Sequence, residues 1–122
     1  MLRKGDIEIE TVAIRRVLHE LEARLIPPVA PAQPRAEGKL ERKEYGDGTE
    51  RLKISVRGLD VPDGSTALVA VEGSTVTQFD IWRGAGRADT RTVSALPEMR
   101  AGQVVEVQVA GAILLSGTLR VD

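Results

Sequence analysis

Cysteine is absent from the 122 residues, which excludes disulfides, thiolate metal sites and thiol nucleophiles. Rings are scarce as well. Aromatics make up 2% of the chain, namely Tyr45, Phe79 and Trp82. A ladder of stacked bases or sugars therefore has no platform. The single histidine, His19, has no second imidazole, thiol or serine motif to work with. An excess of either charge is also missing. Seventeen Lys+Arg face eighteen Asp+Glu, a net charge of -1, so no chain-wide field attracts nucleic acid or anionic lipid. No run approaches the roughly 18 apolar residues of a membrane helix. The opening MLRKGDIEIE turns charged before a secretory apolar region can form. The expected location is cytoplasmic as the sequence stands, with incorporation into an assembly or surface structure left open.

Enough apolar residues remain, 42% against 29% charged, for one folded domain. Composition divides the chain in three. Residues 1–26 hold one glycine and no proline, residues 27–37 hold four of the six prolines, and residues 38–122 hold eleven of the twelve glycines. The pattern predicts a helical arm, a stiff linker and a β-domain that folds by itself. In the arm, Ile7, Ile14 and Leu21 repeat every seven residues, with Thr11, Leu18 and Leu25 between them. This is an a/d heptad stripe and predicts a helix over Thr11–Leu25. Asp6 is a candidate N-cap, and Pro27 and Pro28 stop the helix. The preceding IEIET alternates with period two and also fits a strand. The proline segment, extended at ~3.1 Å per residue, would reach roughly 35 Å.

Residues 38–122 read as short strands separated by turn residues. KLERKEY and RLKISVRGL flank a hairpin turn in which Asp47-Gly48 supplies positive φ. TALVAVEG is apolar on both faces and predicts a central strand. TVTQFDIWRG, RADTRTV, VVEVQVAG and AILLSGTLRV follow, the last two a hairpin about Gly111. The connections are too short for helical crossovers, so the pairing should be antiparallel. About seven such strands predict a mainly β fold, an Ig-like antiparallel two-sheet sandwich. Its expected core is Leu52, Ile54, Val56, Leu59, Val69, Val71, Phe79, Ile81, Val105, Val107, Val109, Ile113, Leu115 and Leu119.

The stretches GKLERKEY, RLKISVRGLDVPDGS, ALPEMRAGQVVEVQV and AILLSGTLRV resemble a small bacterial Ig-like β-sandwich module of unassigned function. The resemblance covers residues 38–122 only. It implies the fold and brings no activity or site residues with it.

Candidate sites are few. Asp47, Asp60, Asp63, Asp80 and Asp89 could supply a hydrolase with two carboxylates or calcium with several ligands. Asp60, Asp63 and Gly64 in LDVPDGS come nearest to a calcium loop, yet no known spacing is matched, and aspartate starts turns for its own reasons. No catalytic residue, metal or cofactor is therefore expected. Arg83, Arg87 and Arg91 surround a Gly-Ala-Gly turn and are the candidates for an anion contact, against solvated arginines on a hairpin. Phe79 and Ile81 share one strand face, so Trp82 should point outward to an interface unless a bulge turns it into the core.

The resulting expectation is a non-enzymatic structural subunit that self-associates or docks into a larger assembly. Its interface would be Ile7, Ile14, Leu18, Leu21, Leu25 and Trp82, with free sandwich edges able to pair with another chain. The alternatives are a ligand- or carbohydrate-binding sandwich at Trp82 and the arginine turn, and a hydrolase built on the loop aspartates. A homo-oligomer or larger protein assembly is the expected partner, with no nucleic acid, no membrane span and no small-molecule ligand.

Overall fold

The computed structural model describes residues 17–28, 35–92 and 99–121. Nine strands run through them: β1 Val17–Leu25, β2 Glu37–Tyr45, β3 Glu50–Arg57, β4 Ser65–Val71, β5 Ser74–Ile81, β6 Gly86–Thr92, β7 Val104–Val109, β8 Ala112–Thr118 and β9 Arg120–Val121. They form two antiparallel sheets, a five-stranded sheet ordered β6-β3-β2-β1-β9 and a four-stranded sheet ordered β5-β4-β7-β8. The mainly β two-sheet reading stands, and β4 is central as its two apolar faces require. No helix among the described residues is long and apolar enough to cross a membrane.

The N-terminal arm differs from the expectation. Val17–Leu25 is a strand, lying between β2 and β9. A spacing of four residues keeps two side chains on one face of a helix and also on one face of a strand. Leu21 and Leu25 satisfied both periods. The strand wins because Leu21, Ala23 and Leu25 all turn inward at 8%, 0% and 0% exposure. Their outward neighbours Glu20 and Glu22 pair with Lys43 at 3.4 Å and Lys39 at 3.3 Å on β2. Leu21 and Leu25 are thus core rather than a free seam. Residues 11–16 of the expected helix, with Ile7 and Ile14, lie outside the described residues, and Leu18 is in β1.

The proline segment connects neighbours. Leu25 is the ladder partner of Gly38, so its two ends return to the same place and the 35 Å separation is not used. β2 begins at Glu37 and pairs along its length with β1 on the other side of the proline segment.

Both sheets turn alternate apolar residues inward. Leu40, Leu52, Ile54 and Val56 on one side meet Val69, Ile81, Val105, Val107 and Leu115 on the other, all in one cluster. Of the expected core only Ile113 is outside, at 43% exposure. Val107 pairs with Leu115 and Gln108 with Ile113, which leaves Leu114 as a bulge. One extra residue flips every side chain beyond it, and Ile113 moves to the outer face. Where the chain passes from β8 to β9 it crosses β1. A Cβ on Gly117 would lie 2.1 Å from the carbonyl oxygen of Arg24, so only glycine allows this approach.

Candidate functional site

Two surfaces concentrate chemistry. The first is a corner where β5 turns into β6. Arg83 and Gly84 take φ of 54° and 75°, two successive left-handed residues between Trp82 and Ala85. This is the primed turn that matches strand twist. Trp82 and Ala85 exchange both backbone bonds, 2.9 and 3.1 Å. Positive φ is unfavourable for arginine. Here the Arg83 N–H donates to Asp63 Oδ1 at 2.7 Å, which ties the turn to the β3–β4 loop. Gly64 N–H donates to the carbonyl of Ile81 at 2.7 Å, and Leu59 N–H to that of Gly84 at 3.0 Å. The indole of Trp82 lies over Gly64, where a Cβ would meet Cη2 at 3.7 Å. The ring is nonetheless 59% exposed, while Phe79 and Ile81 are core. The outward orientation holds, and the bulge that would have buried Trp82 does not occur there.

The second surface is the outer face of the five-stranded sheet. Every Lys and Arg that lies in a strand belongs to this sheet. The four-stranded sheet holds none, and its only charged strand residues are Asp80 and Glu106. On the outer face the register sets out rows that cross the strands. One row carries Arg91, Arg51, Lys43 and Glu20; the next Asp89, Lys53, Glu41 and Glu22; the third Arg87, Ser55, Lys39 and Arg24. Arg51 grips Asp89 with two bonds, Nε–Oδ1 at 2.8 Å and Nη2–Oδ2 at 2.6 Å. That hydrogen bonding, with weaker contributions from Arg91 and Lys53, holds the Asp89 carboxyl below its usual value, and the same contact raises the Arg51 guanidinium.

The three arginines named as candidates for an anion contact are divided between two elements. Arg83 belongs to the Trp82 corner, whereas Arg87 and Arg91 stand on β6 in different rows. The aspartates are dispersed as well. Asp47 caps its own turn through Thr49 N at 3.0 Å, Asp63 holds Arg83, Asp80 faces Thr66 on β4, and Asp89 is bound by Arg51. Among the described residues no three His, Asp or Glu gather as metal ligands. His19 is exposed on β1. Sequence reasoning missed the charged face because the whole chain balances to -1; the alternation of charge in KLERK and RLKIS was the signal available. No protein-family model and no curated protein matches this chain.

Proposed function

We propose that this chain is a non-enzymatic docking subunit, an Ig-like sandwich that joins its own copies or a larger protein assembly through the corner headed by Trp82. The observation that supports this most directly is the 59% exposure of the one tryptophan on a turn braced by the β3–β4 loop. Tryptophan left in water forgoes burial worth about 1.5–3 kcal/mol, and pre-ordered exposed tryptophans are typical interface anchors.

Strand addition is a poorer route, because the outermost strand of each sheet edge is blunted. β5 bulges at Val76, which has no partner between the Val69–Thr77 and Ala70–Thr75 pairs, and β8 bulges at Leu114. β6 alternates Arg87, Asp89 and Arg91 along its edge, and β9 has two residues. These are the devices by which sheets resist edge pairing.

Sedimentation velocity of the full chain tests the reading. The wild type is expected to form species above its 13.2 kDa monomer as concentration rises. Trp82→Ala should remain monomeric with a melting temperature within a few degrees of wild type, since an exposed ring contributes little to folding. A wild type that stays monomeric at every concentration rules out self-association, and a Trp82→Ala chain that mainly loses thermal stability rules out the corner.

A further inference from the structure

The row Arg87–Ser55–Lys39–Arg24 is the only one of the three four-residue rows without a carboxylate. It crosses β6, β3, β2 and β1, three strand spacings of about 4.8 Å, or roughly 14 Å. Lys39 is bound to Glu22, while Arg24 and Arg87 have no ionic partner among the described residues. At the β1 end the stripe runs into a cavity of about 380 Å³ lined by Glu22, Arg24, Gly38, Lys39 and Arg120, with Arg120 brought there by pairing with Glu22. Two exposed guanidinium groups therefore flank this recess, and a third stands at the far end of the row.

We propose that this stripe docks an acidic polypeptide segment of a partner protein, laid across the strands with its carboxylates over Arg87 and Arg24 and into the recess beside Arg120. Arginine takes carboxylate bidentately, as Arg51 already does with Asp89 on the same face. About four or five extended residues cover the row. Two features favour a polypeptide over a phosphate polymer. The stripe has no ring on which a base could stack. The adjacent row holds Asp89, Glu41 and Glu22, which repel a uniformly anionic backbone, whereas a polypeptide can place neutral or basic residues there. The site is independent of the Trp82 corner.

Fluorescence anisotropy of a labelled peptide alternating glutamate with serine, mixed with the full chain at low salt, tests this. The double variant Arg24→Gln/Arg87→Gln is expected to bind about tenfold more weakly. A charge-matched variant of the same face outside the stripe, Lys53→Gln/Arg91→Gln, should lose about twofold or less. Both variants alter exposed side chains and should keep the wild-type circular dichroism and melting temperature. Absence of binding by the glutamate–serine peptide, or equal loss in the two variants, overturns the stripe. Tighter binding of an oligo-deoxythymidylate or of phosphatidylserine vesicles than of that peptide overturns the assignment of the occupant.

Discussion

Arg42 points the opposite way from the Lys and Arg of the outer face. It is 9% exposed and meets Glu50, equally buried, at 2.6 Å between Nη2 and Oε2. Its Nε is buried without a partner, so the guanidinium is only partly satisfied. Desolvation of such a pair offsets much of its attraction, but without Glu50 the buried guanidinium keeps only the longer contact to Glu44 at 3.9 Å, which is worse than the pair. Glu50→Gln should lower unfolding free energy in urea by about 3 kcal/mol, and Arg42→Met/Glu50→Leu should recover most of it. Asp89 behaves differently because it is exposed. Its carboxylate binds protons less readily in the folded chain than in the unfolded one, chiefly because Arg51 donates to it. The stability it contributes is full above the unfolded aspartate value of about 3.9 and fades as pH falls through the lower folded value. Carboxyl NMR titration should place the Asp89 midpoint below the usual range in wild type and closer to it in Arg51→Gln. An unchanged midpoint in that variant would assign the shift to another group.

Among the strands, β1 has the largest consequence. It separates β2 from β9, covers the core with Leu21, Ala23 and Leu25, and touches β8 through the Ile26–Ser116 bridge. Leucine burial of this kind is worth about 2–5 kcal/mol per side chain against alanine, while a domain this small holds about 5–15 kcal/mol in total. The fragment 38–122 is therefore expected to lack a cooperative thermal transition, in contrast to the full chain. A sharp melt in that fragment, followed by circular dichroism, would show that β1 is dispensable. The hairpins β2–β3, β4–β5 and β7–β8 were readable because each pair closes through a local turn. The partner of β1 lies beyond the proline segment, where no turn residue announces it. Its even spacing of leucines served a heptad and a pleat equally.

At the scale of the whole molecule the two sheets divide the charge. Basic strand residues all sit on one sheet, and the opposite sheet offers Thr66, Leu68, Gln78 and Gln108 to solvent with only Asp80 and Glu106 charged. A net charge near zero conceals this arrangement, so attraction acts at short range on one face and is strongly screened at physiological salt. The blunted edges and the exposed Trp82 corner act in the same direction: contact through a chosen surface rather than through open backbone.

Local chemistry alone was enough for the turns at Asp47-Gly48 and Gly111 and for the inward faces of β3, β4 and β7. Each rests on alternation or φ preference over a few residues. The strand state of Val17–Leu25, the flip of Ile113 and the assembly of Arg87, Lys39 and Arg24 into one row were decided only when distant strands paired. Register between strands depends on packing across the whole sandwich, and that packing has no signature within any single segment.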